Sequence, residues 1–452
     1  MNALRSWWLA PAVVGGLGGA LAQASTNDNV AAGAAGGGGL ALLWAWSLRG
    51  RVRDLGDGLL HGLALALLLW LSTPLFAAWQ ELAVACSCDA ARERFPELVA
   101  AIVCYGAPLG LALGAVAAPP RVAAGAHGTS RALVVGGIAG FAACLLFERV
   151  AATAAPFGPV GAGATLRLFG AMAIGAGYGL LFQRAVRGLG QSLGFGIAWG
   201  MLWWCLGPLT ALPWWRGDGV DWSAAAVGAQ YGAFVAHVVF GLVLGLAHAC
   251  VDKLWFGFFV ASDPLQRDRE GLGGRAVLAL AWGALAGLVG GVVFAPAMWD
   301  RGMLPYVAQA LGGSSPWFGL AVHLGASVLF GMVYGLLFRA QVLDLATALG
   351  SGLLFGFVLW LLGQLTLFPH LLGEPFDWSL PNAAAALPSL VGHLVYGAAM
   401  AFVFVACELR HARVQAVDPR WRGVSRALVV GSAAPLWLFV LGFGVTLPVV
   451  LG

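Results

Sequence analysis

The sequence predicts an all-α polytopic membrane protein of about thirteen transmembrane helices, built as three parallel four-helix repeats plus one C-terminal helix. Hydrophobic residues make up 60% of the 452 residues and charged residues only 10%, whereas soluble domains carry about 25% charged residues. The apolar runs exceed the roughly 20 residues that a helix needs to cross a bilayer core. The third observation is that one long stretch of the chain occurs twice.

The repeated stretch runs from about Leu166 to Cys250 and again from about Val322 to Ala406. A shift of 156 positions aligns the two copies without a gap. An apolar composition explains scattered matches of Leu and Gly, but it does not explain polar residues that keep their register. We therefore interpret the stretch as an internal duplication. The matched segments are Tyr178–Phe182 with Tyr334–Phe338, Asp221–Ser223 with Asp377–Ser379, and His237–Gly241 with His393–Gly397.

The first part of the chain contains a more distant copy of the same four-helix unit. The spacing of Trp70 and Pro74 recurs in Trp204 and Pro208. Because each unit has an even number of spans, all copies insert the same way up and form parallel repeats. The predicted divisions are residues 1–120 for a diverged repeat 1, 131–252 for repeat 2, 275–410 for repeat 3 and 426–452 for a C-terminal transmembrane helix.

Orientation follows from the basic residues. Most of the 24 Lys and Arg residues lie in alternate loops, on one side of the predicted spans. The positive-inside rule places that side in the cytoplasm, so we expect a cytoplasmic N-terminus and a C-terminus outside. The first apolar run, Trp7–Ala22, ends in small residues and could pass for a signal peptide. Because Val13–Gly16 echoes Val134–Gly137 at the start of repeat 2, we expect a retained helix.

Glycines recur at four-residue spacing along the predicted spans. This spacing is typical of helices that pack in lipid, where small residues let two backbones approach closely. No glycine-rich stretch ends in the Gly-Lys-Ser/Thr of a nucleotide-binding loop. The formal net charge of +4 comes from basic loop residues that set orientation, so no nucleic-acid partner is predicted. The spaced glycines are Gly175/Gly179, Gly196/Gly200, Gly241/Gly245, Gly283/Gly287/Gly291, Gly331/Gly335 and Gly352/Gly356.

Polar residues inside the predicted spans are the candidates for function, because an ionisable group at membrane depth is costly without a partner. His237 and His393 lie about ten residues into the fourth helix of their repeats. His323 lies in the second helix of repeat 3, and Arg167 takes its place in repeat 2. We predict a polar pocket in the outer half of the membrane. Its candidate residues are His237, His393, His323, Arg167, Gln364, Tyr396, Trp360 and Trp204.

Two interpretations of these histidines stay open. In the structural one, His237 and His393 each donate a hydrogen bond to a neighbouring helix and fix the packing of the repeat. In the functional one, they bind a ligand. A haem needs two axial ligands, which His323 and His393 offer in repeat 3 but repeat 2 does not. No metal-binding spacing and no catalytic arrangement is evident, and the identity of any cofactor stays unknown.

The Asp-Trp-Ser segments at Asp221 and Asp377 precede the fourth helices of repeats 2 and 3. Asp and Ser are favoured at helix N-termini, and Trp is enriched at the level of the lipid headgroups. We expect these segments to cap the helices and to anchor the loops at the membrane interface.

The segments His237–Gly241 and His393–Gly397 resemble short helices in uncharacterised bacterial polytopic inner-membrane proteins. The resemblance covers two of the predicted spans. It implies a multi-pass location in the bacterial inner membrane and implies no particular activity.

Repeat architecture combined with polar residues at membrane depth favours a transporter- or channel-like protein that binds or moves a small solute between its repeats. The alternative is a non-catalytic membrane subunit or scaffold of a larger complex, which holds a cofactor such as haem. The expected partners are the lipid bilayer and a small-molecule substrate, and the sequence names no protein partner. Enzymatic activity has no support in the sequence.

Overall fold

The computed structural model is helical throughout the part of the chain that it describes. Helix accounts for 89% of the structure, and none of the described residues forms a strand. This confirms the all-α prediction. A helix satisfies its own backbone hydrogen bonds, so it is stable in lipid without outside partners. The described residues are 2–24, 30–48, 51–81, 88–117, 126–150, 164–183, 188–259, 272–339, 342, 344–375, 377–417 and 433–452.

The long helices of the described residues are labelled α1 to α13 in chain order, and helices α4, α7 and α11 each contain a π-helical segment. Four short helices precede or connect them: Cys88–Glu93, Ala224–Ala229, Leu304–Gln309 and Leu380–Ala385. The long helices are α1 Asn2–Ala24, α2 Val30–Ser47, α3 Leu55–Glu81, α4 Phe95–Ala117, α5 Ala126–Val150, α6 Ala164–Phe182, α7 Leu189–Arg216, α8 Tyr231–Phe259, α9 Leu272–Asp300, α10 Pro316–Phe338, α11 Leu345–Leu371, α12 Leu387–Val417 and α13 Ala433–Leu451.

Among the described residues, ten helices are long and apolar enough to cross a bilayer, namely α3 to α5 and α7 to α13. Two shorter apolar stretches, Leu9–Ala20 in α1 and Arg167–Phe182 in α6, lie at other predicted spans. These helices indicate an integral membrane protein. The total of thirteen spans stays a prediction. The last predicted span was expected to begin at Arg426, and residues 426–432 lie outside the described part of the chain.

The chain divides into two compact units. Unit 1 consists of Met1–Arg187, Ser192–Trp255 and Leu438–Gly452, and it contains the segments predicted as repeats 1 and 2 together with most of α13. Unit 2 consists of Gly188–Gln191 and Phe256–Trp437, and it contains the segment predicted as repeat 3.

Glycines bring helices into backbone contact within each unit. A Cβ atom on Gly352 would overlap the carbonyl of Gly397, and one on Gly196 would overlap the carbonyl of Gly241. The predicted glycine packing faces are therefore confirmed. Between the helices predicted as first and second of a repeat, the contacts are Gly15 with Gly37, Gly136 with Gly175 and Gly283 with Gly331. Between those predicted as third and fourth, the contacts are Gly62 with Gly106, Gly196 with Gly241 and Gly352 with Gly397.

A tryptophan in each of α3, α7 and α11 ties that helix to the start of the next long helix. Its indole Nε1–H donates to the backbone carbonyl of the residue that immediately precedes that helix. Because the acceptor is a main-chain group, the contact fixes where the following helix begins. The pairs are Trp70 to Arg94 at 2.9 Å, Trp204 to Gln230 at 3.1 Å and Trp360 to Ala386 at 3.1 Å.

Candidate functional site

His393 lies in α12, where that helix contacts α11. Gly356 of α11 packs against the backbone carbonyl of His393, which leaves no room for a side chain there. The Nδ1 atom of His393 lies 2.8 Å from the carbonyl oxygen of Ser389, one turn earlier on the same helix. Because a carbonyl only accepts, Nδ1 carries the proton and, in the neutral ring, Nε2 presents a lone pair. The bond stays within α12, whereas the structural interpretation predicted one to a neighbouring helix.

His323 approaches the same place from α10. Its ring and the ring of His393 each pack edge-on against Phe294 of α9, with centroid distances of 5.6 and 5.4 Å. The Nε2 atom of His323 donates to the carbonyl of Gly291 at 3.0 Å. The neutral ring therefore presents a lone pair on Nδ1. Two half-buried imidazoles from different helices thus flank one phenyl ring.

One hydroxyl group joins α10 and α12 beside these rings. The hydroxyl of Tyr396 donates to the backbone carbonyl of Ser327 at 2.8 Å. The hydroxyl of Ser327 donates to the carbonyl of His323 at 2.8 Å, one turn earlier within α10. Both donors are therefore engaged by main-chain acceptors, and the Tyr396 bond positions α10 against α12.

Gln364 reaches the cluster from α11 through Ser389. The Ser389 hydroxyl lies 3.4 Å from Oε1 of Gln364 and 3.3 Å from Nδ1 of His393. Gln364 belongs to the π-helical segment Trp360–Leu367, and such segments often occur at functional sites. Trp360, by contrast, is fully buried, and its indole donates to the backbone carbonyl of Ala386, immediately before α12. We call His323, Gln364, Ser389, His393 and Phe294 the polar cluster.

The matching histidine of unit 1, His237, has a different environment. Its Nδ1 atom lies 2.7 Å from the carbonyl of Ala233, again one turn earlier, and only 2% of the residue is exposed. Nearby, Trp204 and Phe234 pack against Phe443 of α13, each with a ring-centroid distance of 6.1 Å.

The partners of His393 are not kept in unit 1. At the offset of 156 positions, Ala233 stands for Ser389, Pro208 for Gln364 and Arg167 for His323. Arg167 is half-buried in α6. The structure therefore brings together His323, His393, Gln364 and Tyr396 in unit 2, and it places Trp204 and His237 in unit 1 without those polar neighbours.

The Asp-Trp-Ser segments do cap helices, but these are the short helices Ala224–Ala229 and Leu380–Ala385 and not the long helices α8 and α12 that were predicted. Ser223 and Ser379 accept hydrogen bonds from the third backbone amide that follows, at 3.2 and 3.4 Å. Both tryptophans also bond to the third helix: Trp222 donates to Thr210 at 3.2 Å and Trp378 to Thr366 at 3.0 Å. Only 7% of Trp378 is exposed, so its indole holds the loop to α11 rather than anchoring it at the interface.

The sequence reasoning missed several residues near the polar cluster and in the ion pairs. Ser389 and Phe294 complete the polar cluster, and no spacing pattern marks either one. Glu408 of α12 forms an ion pair with Arg339 at 2.8 Å, and the side chains are 1% and 12% exposed. Asp252 stands 156 positions before Glu408 and pairs with Arg131. This match of two acidic residues at the offset of 156 positions was a usable sequence signal for both pairs.

Comparison of the chain with models of known protein families, with curated proteins and with solved structures found no match. Within the described residues, no group of three or more His, Cys, Asp or Glu side chains is placed to hold a metal ion. The chemistry of the polar cluster therefore rests on its own geometry. Four side chains donate to backbone carbonyls: the imidazoles of His323 and His393 and the hydroxyls of Tyr396 and Ser327. Each imidazole keeps one nitrogen lone pair that can accept a hydrogen bond.

Proposed function

We propose that the chain is a transporter- or channel-like protein of the bacterial inner membrane, which binds a small solute at the polar cluster of repeat 3. In this proposal the fold consists of three parallel four-helix repeats, residues 1–120, 131–252 and 275–410, followed by a C-terminal span within 426–452. The N-terminus is cytoplasmic, and the C-terminus lies outside. Three recurring contacts support the repeats: the glycine pair of first and second helices, the glycine pair of third and fourth helices, and the tryptophan bond to the start of the fourth helix.

One observation carries the proposed site. Ser389, Gln364 and His323 gather near His393, whereas the matching positions in repeat 2 hold Ala, Pro and Arg. A histidine that served packing alone would not need these groups. Polar residues at membrane depth are retained where they bind something or pair with each other. The two repeats have therefore diverged in function, and repeat 3 carries the binding site.

The roles of the residues follow from their free atoms. Nε2 of His393 and Nδ1 of His323 accept hydrogen bonds from the solute. Gln364 orients the solute through its amide, and Phe294 supplies an apolar contact between the two rings. Tyr396 and Trp360 position helices and do not touch the solute. In repeat 2, His237, Trp204 and Arg167 are structural counterparts.

The test is a thermal-stability screen of the purified protein against a library of small polar solutes. A ligand raises the melting temperature of the state that it binds. We expect at least one solute to stabilise wild type and His237→Ala, and to lose its effect on His393→Ala and His323→Ala. His237→Ala is the matched control, because it removes the same side chain from the other copy. A screen in which every stabilising solute acts equally on His393→Ala would overturn the proposal.

The alternative, a membrane subunit or scaffold that holds haem, is favoured by the presence of two histidines beside one ring. An absorbance spectrum of protein purified from its native membrane separates the two. A Soret band that is lost in both His323→Ala and His393→Ala would assign the polar cluster to haem, whereas a protein without visible absorbance but with a stabilising solute supports transport.

A further inference from the structure

A second polar locus lies in unit 1, outside the polar cluster. His248 of α8 is only 1% exposed. Neither of its ring nitrogens has a hydrogen-bond partner among the described residues. Such a group is rare in native proteins, because a buried donor or acceptor without a partner costs free energy. The ring also packs edge-on against Tyr178, with a centroid distance of 5.0 Å, but that hydroxyl is bonded to Ser192 at 2.9 Å.

An ion pair adjoins this histidine. Asp252 lies one turn after His248 on the same face of α8, and it pairs with Arg131 of α5. Both charges act on the imidazole. The Nε atom of Arg131 is also buried without a hydrogen-bond partner among the described residues. The histidine and the ion pair beside it therefore carry three buried polar atoms without a hydrogen-bond partner among the described residues, two N–H donors and one lone pair in the neutral ring.

The ion pair is partly exposed near one end of the helix. The side chains of Arg131 and Asp252 are 29% and 33% exposed, and Asp252 stands at the end of the apolar span of α8. The buried imidazole therefore lies one helical turn from a partly exposed ion pair.

Unit 2 shows that packing does not require a histidine here. The residue 156 positions after His248 is Phe404, and it packs edge-on against Tyr334 with a centroid distance of 5.4 Å. The contact between aromatic rings is thus the same in both units. The phenyl ring meets the packing requirement without burying a polar atom, so the nitrogens of His248 need another explanation.

We propose that His248, Arg131 and Asp252 form a binding site for a small neutral molecule that both donates and accepts hydrogen bonds. The ligand donates to the imidazole lone pair and to the carboxylate, and it accepts from the N–H groups of His248 and Arg131. Water and a small hydroxylic or amide solute share this chemistry. A charged ligand is disfavoured, because the adjacent ion pair is neutral in sum and the buried charge would have no counter-ion. This site is separate from the polar cluster and does not depend on it.

Hydroxyl-radical labelling of the full-length protein, read by mass spectrometry, tests the site. Water that occupies the site, or exchanges into it, supplies hydroxyl radicals next to the buried ring, so His248 should be oxidised several-fold faster than His237. His237 is the matched control because it is the same residue type with 2% exposure. Backbone hydrogen exchange around residue 248 should stay slow, which excludes local unfolding as the source of labelling.

Two further arms complete the experiment. Glycerol and urea are added as probes. Slower labelling of His248 in their presence shows that the site binds a small solute, whereas unchanged labelling shows that it binds water. Either result supports the proposal. The variant His248→Phe introduces the residue type of Phe404, which makes the same ring contact in unit 2, and should keep its fold. The proposal is overturned if His248 is labelled no faster than His237. It is equally overturned if His248→Phe raises the melting temperature, because the polar atoms were then buried without any ligand.

Discussion

Gly356 lies directly against the backbone carbonyl of His393, so α11 and α12 meet at the residue that carries the imidazole. The contact supplies close dispersion between two backbones, which replaces the water-driven term that is missing in lipid. The glycine therefore determines where the imidazole stands relative to Gln364 of α11.

The first prediction concerns that glycine. Gly356→Ala should lower the free energy of unfolding by about 1–3 kcal/mol, the usual cost of overpacking a tight contact. Gly325→Ala is the control: it lies in the neighbouring helix α10, and a Cβ there meets nothing within 4 Å. Melting temperatures in detergent should fall for Gly356→Ala and hold or rise for Gly325→Ala. Equal melting temperatures for the two variants would contradict the packing seen at α11 and α12.

The second prediction concerns the bond between α10 and α12. Tyr396→Phe removes the hydroxyl that donates to Ser327, and interhelical bonds in membrane proteins average roughly 0.6 kcal/mol. We expect a small drop in stability together with weaker binding of any solute that the polar cluster holds. Tyr306→Phe serves as control, because Tyr306 is 53% exposed in a short connecting helix. Solute titrations of both variants test whether Tyr396 positions the polar cluster: binding should weaken in Tyr396→Phe and stay unchanged in Tyr306→Phe.

The third prediction compares the two ion pairs. Glu408 and Arg339 are 1% and 12% exposed, and the loss of one member of a buried pair typically costs about 3–5 kcal/mol. Asp252 and Arg131 are about one-third exposed, and such pairs contribute roughly 0–1 kcal/mol. Glu408→Gln should therefore destabilise much more than Asp252→Asn in a detergent melt. A larger loss of stability in Asp252→Asn than in Glu408→Gln would contradict this prediction.

The fourth prediction concerns topology. We expect a C-terminal fusion to alkaline phosphatase, which is active only outside the cytoplasm, to be active, because the excess of basic residues on alternate loops orients the spans. The same reporter after residue 340, in the loop between α10 and α11, should be inactive. A C-terminal reporter that works only in the cytoplasm would refute thirteen spans in this orientation.

The sequence by itself determined the all-α class, the glycine faces and the capping role of Ser223 and Ser379. Each of these depends on local chemistry: apolar length, four-residue spacing and the preference of Ser for helix starts.

Only the tertiary structure decided which polar residues meet. Ser389 and Phe294 join the polar cluster because three separate helices bring them to His393, and no pattern along one helix records that. The tertiary structure also set His248 beside Arg131 and Asp252, and it put Phe443 against Trp204 in one unit alone. Periodicity tells which face of a helix is apolar, whereas the identity of the neighbour across that face depends on how distant segments pack.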